Sequence, residues 1–212
     1  MKIEIWSDFV CPFCYLGKVK LEKALEDFSN KEDVEIVYKS FELDPNASRM
    51  SKGTMSEIIA RKYGITLEQA KKNNERITAQ AKEVGLTYNL DSAIPINTLL
   101  AHRLFQYAKN VGKDKEITRV LFKAYFTDSK NLSEVHTLVE LSKEAGLAEQ
   151  EVREVLNSDK YTEEVRKDEK EAKSLGVNGV PFFLIDNKFT ISGAQPVEVF
   201  REALEKALER SK

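Results

Sequence analysis

Apolar and polar positions predict short strands near both ends of the chain. Residues 2–6 alternate between apolar and polar, and residues 34–41 are rich in β-branched and aromatic side chains. Near the C-terminus, residues 182–185 and 189–192 predict two more strands, joined by an Asp-Asn turn of the kind that closes β-hairpins.

Outside these strands the apolar residues recur at three- and four-residue spacing, which predicts helices. One helix follows the first strand. The last helix begins at Pro196, and its apolar face contains Val199, Phe200 and Leu204. The order is therefore strand, helix, strand, a long helical block, hairpin and helix.

The long helical block separates the two strand-containing parts of the chain. It includes two capping-box patterns, which begin at Thr54 and Thr66. The simplest packing joins the two flanking parts into one mixed sheet. We therefore predict an α/β fold with a discontinuous domain of residues 1–43 and 160–212, and an all-helical insertion of residues 44–159.

Composition and charge narrow the class of protein. The 33 Lys and Arg residues nearly balance the 35 Asp and Glu residues, so no basic excess indicates a nucleic-acid partner. The chain is 42% hydrophobic and 32% charged, and it has no stretch approaching the roughly 20 apolar residues that a membrane-spanning helix needs. Its first residues, MKIEIWSD, lack the order of a secretory signal. We expect a cytoplasmic protein, although the mature form of a secreted protein would begin similarly.

The chain has two cysteines, and they form the motif Cys11-Pro12-Phe13-Cys14. A structural disulfide here would close a ring too short to contribute much loop entropy. Pro12 suits a first helical turn, which places Cys11 at a helix N-terminus, where the dipole favours a thiolate. Cys14 lies one turn further on the same helix face. We predict thiol–disulfide exchange with Cys11 as the nucleophile, Cys14 as the resolving thiol and no cofactor beyond their disulfide.

Asp8, three residues before Cys11, has three candidate roles. Its carboxylate could disfavour a nearby thiolate, relay protons for Cys14 or cap the turn. Its position in a turn favours capping.

A cysteine pair at this spacing is also typical of zinc sites. The remaining ligands would have to be His102 and His136, which lie on separate predicted helices. Both histidines fall off the apolar stripes of their helices and are expected to face solvent. We therefore predict no metal.

A second candidate part of the site is the segment GVNGVPFFLI. Pro181 directly precedes a predicted strand, a position where proline is common. The residues alone leave the isomer of the Val180-Pro181 bond open.

Several segments together resemble one family. They are WSDFVCPFCYLG, FELDP, NTLLAH, GVPFFLI and ISGAQP. These segments resemble the DsbA-like branch of the thioredoxin superfamily, and most closely the FrnE-like cytoplasmic oxidoreductases. The resemblance spans nearly the whole chain and implies a thioredoxin fold interrupted by a helical domain.

The resemblance also implies a substrate-binding set. A cis-proline loop at Val180-Pro181 would lie against the active-site disulfide, and the backbone of Val180 would pair with an extended substrate. Pro12 and Phe13 would border that substrate, and His102 would face the site across the helical block. The implied partners are protein or small-molecule thiols and disulfides, with glutathione as a candidate co-substrate, and the oligomeric state stays open.

Two other functions remain open at this point. The same branch resembles 2-hydroxychromene-2-carboxylate isomerases and kappa-class glutathione transferases, which generally carry serine at the position of Cys11. A non-catalytic redox-sensing or polypeptide-binding module is the other alternative. The presence of Cys14 favours exchange, because a resolving thiol serves only exchange.

Overall fold

A mixed sheet organises the part of the chain that carries both cysteines. The computed structural model describes residues 1–48 and 53–210, and within them this sheet has four strands. The strands are β1 (Lys2–Ser7), β2 (Glu35–Ser40), β3 (Phe182–Ile185) and β4 (Phe189–Ser192). Their order is β2-β1-β3-β4, with β1 parallel to β2 and antiparallel to β3, and with β3 antiparallel to β4. The predicted mixed sheet is confirmed, and the two halves of the chain meet where β1 pairs with β3.

The helices follow the predicted order. They are α1 (Pro12–Glu26), α2 (Met55–Tyr63), α3 (Leu67–Glu83), α4 (Leu99–Asn110), α5 (Asp114–Phe126), α6 (Val135–Glu144), α7 (Glu149–Leu156), α8 (Thr162–Ser174) and α9 (Val197–Glu209). A short 3-10 turn, Lys31–Asp33, precedes β2. Within the described residues, no helix is long and apolar enough to cross a membrane.

The chain divides into two compact units. One consists of Met1–Leu43 with Arg166–Lys212, and the other of Asp44–Val165. The first unit contains the whole sheet, α1 and α9, and the second contains α2 to α7. The second boundary falls inside α8.

Strand β1 is the centre of the first unit. Its residues from Ile3 to Ser7 are all buried, as expected for a strand covered on both faces. On one face, Trp6 packs with Ala172, Val177 and Leu184. Because Ala172 lies on α8, that helix covers this face of the sheet.

The C-terminal helix α9 packs against α1 and against the β3–β4 hairpin. Phe200 and Leu204 are buried, as the pattern predicts. Val199 is 38% exposed, so its predicted place on the buried face is wrong. The buried face of α9 is therefore narrower than the spacing of its apolar residues predicts.

The second unit begins with two helices whose caps follow from the sequence. Thr54 accepts a hydrogen bond from the Glu57 amide (3.2 Å), and the Glu57 carboxylate accepts one from the Thr54 amide (2.7 Å). Thr66 and Gln69 form the same reciprocal pair. Both predicted capping boxes are confirmed.

Helix α4 is buried around its whole circumference, from Leu100 to Ala108. It packs against α5, α6 and α7, and none of these nine residues is exposed to solvent. The expectation that His102 faces solvent is therefore wrong, because this side chain is 1% exposed. Arg103 on the same helix is also buried, and its guanidinium donates to the Lys160 carbonyl (2.8 Å) and to carbonyls at the end of α7.

Candidate active site

The CPFC motif lies at the turn between β1 and α1. Cys11 is the N-cap of α1 and has extended backbone angles, and Pro12 occupies the first helical position. The Cys11 amide donates to the Asp8 carbonyl (3.1 Å), and the Cys14 amide donates to the Cys11 carbonyl (3.0 Å). Cys11 thus lies at the positive end of the helix dipole, as the pattern predicts.

Cys14 is the more enclosed of the two thiols. It is 2% exposed, Cys11 is 4% exposed, and both are free rather than joined in a disulfide. The Asp8 amide donates to Cys14 Sγ over 3.4 Å. Burial raises the pKa of the Cys14 thiol well above its usual range, the neighbouring Cys11 raises it further, and the Asp8 amide opposes this change. Cys14 therefore holds its proton tightly.

The Val180-Pro181 loop lies directly beside Cys11. The Cys11 thiol donates to the Val180 carbonyl over 3.5 Å, and this contact is only partly buried. The Val180-Pro181 peptide bond is cis, and Pro181 is buried. The Pro181 carbonyl accepts a hydrogen bond from the Gly193 amide (2.8 Å), which fixes the loop to the segment after β4.

Gly17, on the second turn of α1, allows this loop to approach the helix. A Cβ added at Gly17 would lie 3.0 Å from Phe183 Cζ and 3.1 Å from Pro181 Cγ. Such distances are shorter than normal van der Waals contact, so the site uses the missing side chain. Sequence reasoning missed Gly17, and a glycine inside a strong helical pattern is the signal that could have found it.

The Asp8 side chain forms a hydrogen bond outside its own turn. Its carboxylate accepts a hydrogen bond from the Leu43 amide (2.7 Å), just after β2. The side chain is buried, with 1% exposure. Asp8 therefore joins the cysteine turn to the FELDP segment, a role not among the three that its position suggested.

The residues around Leu43 are in turn held by α8. The Glu42 amide donates to the Glu169 carboxylate (3.1 Å), and the Glu42 carboxylate pairs with Arg166 (2.5 Å). The Asp168 carboxylate accepts from the Ser40 amide (2.9 Å). The charged character of α8 thus serves to bind the end of β2.

The aromatic residues near the motif divide into core and surface. Trp6 is fully buried, and its indole donates to the Asp168 carbonyl (2.9 Å), so Trp6 is a core residue. Phe13, between the cysteines, is 39% exposed. Phe182 packs on the Trp6 side of the sheet, with ring centroids 6.0 Å apart.

The two histidines do not form a recognisable metal site with the cysteines. His136 is exposed, as predicted, and His102 belongs to the second unit, so its place facing the thiols stays a prediction. In residues 1–48 and 53–210, no group of three or more His, Cys, Asp or Glu side chains could hold a metal ion.

Two thiols in this arrangement can exchange electrons in pairs. Both thiols are buried, but one lies at a helix start against the Val180 carbonyl, and the other lies one turn further along and has a raised pKa. A thiolate that attacks a disulfide and a second thiol that completes the exchange need this asymmetry.

Known proteins share this fold. The chain is 41% identical to the probable DsbA oxidoreductase SCO1869 from Streptomyces coelicolor, with a TM-score of 0.95 over 99% of this chain and 90% of that chain. It is 18% identical to a 2-hydroxychromene-2-carboxylate isomerase, with a TM-score of 0.75 over 100% and 98% of the two chains. It is 15% identical to the cytosolic disulfide reductase DsbM from Pseudomonas aeruginosa, solved with GSH, with a TM-score of 0.68 over 99% and 100%.

The last two similarities are below 25% identity and show a common fold. At the level of the sequence, the profile of the DSBA-like thioredoxin domain family matches residues 2–205. This match covers both halves of the sheet, the CPFC turn and the intervening helices, as the resemblance in the sequence predicts. The chain belongs to the DSBA-like thioredoxin domain family.

Proposed function

We propose that this protein is a thiol–disulfide oxidoreductase that uses Cys11 as its nucleophile and Cys14 as its resolving thiol. The observation that carries the proposal is the difference between the two sulfurs. Both sulfurs are buried, but Cys11 is the N-cap of a helix and contacts the Val180 carbonyl, whereas Cys14, one turn further along the helix, has a raised pKa. Membership of a family named for an oxidoreductase supports the same chemistry.

The reaction consists of two displacements. The Cys11 thiolate attacks one sulfur of a substrate disulfide, which forms a mixed disulfide and releases the other substrate sulfur as a thiolate. Cys14 then gives up its proton, which passes through solvent to a released substrate thiolate, and attacks Cys11 Sγ. The Cys11–Cys14 disulfide forms, the second substrate thiolate leaves, and the substrate has gained two electrons from the dithiol. The reverse sequence oxidises a substrate dithiol.

The raised pKa of Cys14 supports its assignment as the resolving thiol and that of Cys11 as the nucleophile. A thiol that keeps its proton at neutral pH does not compete with Cys11 for the incoming disulfide. In the mixed disulfide Cys11 carries neither a thiol proton nor a charge, so its contribution to the raised pKa of Cys14 is lost, while the contribution of burial stays.

We assign substrate binding to the loop beside Cys11. The Val180 carbonyl is 3.5 Å from Cys11 Sγ, so a substrate strand that pairs with the Val180 backbone would bring its own sulfur to the nucleophile. Phe13, exposed between the cysteines, and Pro12 would contact the substrate beside its sulfur. Pro181 would hold the loop in place, and His102 stays the least supported member of the set.

Glutathione is the small thiol that we propose as a co-substrate. The DsbM structure, similar in fold, was solved with GSH, and that protein is described as cytosolic. We propose the same reducing compartment for this chain, where reductase or isomerase chemistry is the default direction. The alternative of a glutathione-dependent isomerase or transferase rests on the fold shared with the 2-hydroxychromene-2-carboxylate isomerase, and it gives Cys14 no role.

Trapping of mixed disulfides tests the proposal. In Cys14→Ser, attack by Cys11 still occurs but resolution does not, so substrates should accumulate on Cys11 as adducts that dithiothreitol releases. The matched control, Cys11→Ser, should trap none. A non-catalytic binding module would instead hold its partners equally in the wild type and in both variants, and that result would refute the proposal.

A further inference from the structure

Asp8 contacts both cysteines and the segment that follows β2 through three separate groups. Its carbonyl accepts from the Cys11 amide (3.1 Å), its amide donates to Cys14 Sγ (3.4 Å), and its carboxylate accepts from the Leu43 amide (2.7 Å). These contacts make Asp8 the link between the CPFC turn and the end of β2.

The contact with Cys14 Sγ bears on the chemistry of exchange. Cys14 carries negative charge when it attacks the mixed disulfide, and it carries charge again when a substrate thiolate breaks the Cys11–Cys14 bond. A hydrogen bond to a charged acceptor is about twice as strong as one between neutral groups. Because Cys14 and Asp8 are both buried, water cannot easily replace the Asp8 amide in this role.

The direction of the Asp8 amide depends on what holds the residue. Asp8 lies in the turn between β1 and α1, outside the hydrogen-bonded ladder of the sheet. Its carboxylate is anchored by the Leu43 amide, and the neighbouring Glu42 is itself held by Arg166 and Glu169. The Leu43 amide, which donates to the Asp8 carboxylate, is therefore held in place through the contacts of Glu42 with α8.

We propose that Asp8 is a positioning residue for the resolving thiol: its carboxylate, bound to the Leu43 amide, holds its own amide toward Cys14 Sγ. The proposal rests on the proposed function and assigns a residue to its second step. In that step the Cys14 proton passes through solvent to a released substrate thiolate, Cys14 Sγ attacks Cys11 Sγ, the Cys11–substrate bond breaks, and the substrate sulfur leaves with the electron pair. The Asp8 amide stabilises charge on Cys14 before the new bond forms.

This role differs from proton transfer by the Asp8 side chain. Positioning needs only a side-chain oxygen that accepts from the Leu43 amide, and the amide oxygen of asparagine supplies one of the same size. A proton carrier needs an ionisable carboxyl group. Asp8→Asn therefore separates the two roles, and Asp8→Ala removes both.

The test is the rate of the second step in isolation. Glutathione is first attached to Cys11 as a mixed disulfide, and its release by Cys14 is followed after acid quenching by mass spectrometry. The variants are Asp8→Asn, Asp8→Ala and the control Asp168→Ala. Asp168 is a matched control because its buried carboxylate also accepts from a backbone amide at the end of β2, that of Ser40.

We expect Asp8→Ala to slow glutathione release by about tenfold, since the amide remains but loses its fixed direction. Asp8→Asn should stay within about twofold of the wild type. Asp168→Ala should lower stability without changing the rate of release.

Three results would overturn the proposal, and each has a different meaning. Equal rates in Asp8→Ala and the wild type would leave Asp8 a purely structural residue, and equal slowing in Asp8→Asn and Asp8→Ala would indicate proton transfer. Failure of the wild type itself to release glutathione would overturn the proposed function, and the role of Asp8 with it.

Discussion

Gly17 and Pro181 approach each other so closely that a single added carbon would force them apart. A Cβ on Gly17 would lie 3.1 Å from Pro181 Cγ and 3.0 Å from Phe183 Cζ. The Phe183 ring cannot easily move, since it is fully buried and meets Phe200 edge-on with centroids 4.9 Å apart. The missing side chain thus determines how near the loop that carries Val180 comes to α1.

We predict that Gly17→Ala lowers the free energy of unfolding by about 1 kcal/mol. Alanine gains roughly 0.5–1 kcal/mol over glycine in a helix, but overpacking costs about 1–3 kcal/mol. Urea unfolding measures the difference. The control is Gly179→Ala in the same loop, where a Cβ would meet nothing within 4 Å, and which should be neutral or slightly stabilising. If Gly17→Ala is as stable as the wild type or more stable, the Val180-Pro181 loop moves to make room for the added Cβ.

The two thiols should differ in reactivity at neutral pH. Because its pKa is raised, Cys14 should stay protonated, and limited iodoacetamide should label Cys11 first. Peptide mass spectrometry of the reduced protein locates the label. Cys14→Ser should react as fast as the wild type, and Cys11→Ser at least about tenfold more slowly. Preferential labelling of Cys14 would contradict the assignment of the nucleophile.

The ion pair between Arg166 and Glu42 should contribute strongly to stability. The Glu42 side chain is fully buried, so Arg166→Ala leaves a buried carboxylate without this partner. We expect a loss of roughly 3 kcal/mol in the free energy of unfolding, measured by urea titration. Lys72→Ala is the control, because the Lys72–Glu68 pair is exposed and should contribute less than about 0.5 kcal/mol. A loss below about 0.5 kcal/mol for Arg166→Ala would mean that Glu42 reaches solvent or another donor.

Tyr107 in the second unit should lose its phenol proton only at high pH. Burial, together with its hydrogen bond to the Glu151 carboxylate, raises the pKa of Tyr107 from 10.0 to about 12. The folded state therefore holds this proton more tightly than the unfolded chain does. Its contribution to stability is full below pH 10.0 and is lost as the pH rises through about 12.

Ultraviolet titration of the phenolate should show this late step in the wild type. The amplitude of this step should fall by one tyrosine in Tyr107→Phe and be unchanged in Tyr63→Phe, which alters an exposed tyrosine. A wild-type titration without a step near pH 12 would rule out the raised pKa.

Features that depend on neighbours in sequence were predictable. The capping boxes at Thr54 and Thr66, the hairpin turn at Asp186-Asn187 with its two positive φ angles, and Cys11 at the start of α1 all follow from a few adjacent residues. Their chemistry specifies one local conformation, so the pattern predicts them directly.

Features that depend on tertiary packing could not be predicted from the sequence pattern. The polar face of α4, including His102, is buried, and the periodicity of α4 alone does not reveal this, because residues distant in sequence decide which faces of a helix are covered. The bond from the Leu43 amide to Asp8 joins residues that meet only after β1 and β2 pair. The approach of Gly17 to Pro181 likewise requires the two halves of the chain to be assembled.

The most direct test of the central claim is the equilibrium between the dithiol and the Cys11–Cys14 disulfide in glutathione redox buffers, read by alkylation and mass spectrometry. We predict one reversible two-electron transition with a midpoint between about −270 and −120 mV, the range from thioredoxin to DsbA. A protein that never forms this disulfide, or that stops at a stable glutathione adduct on Cys11, would contradict the account and favour glutathione-dependent chemistry on small molecules.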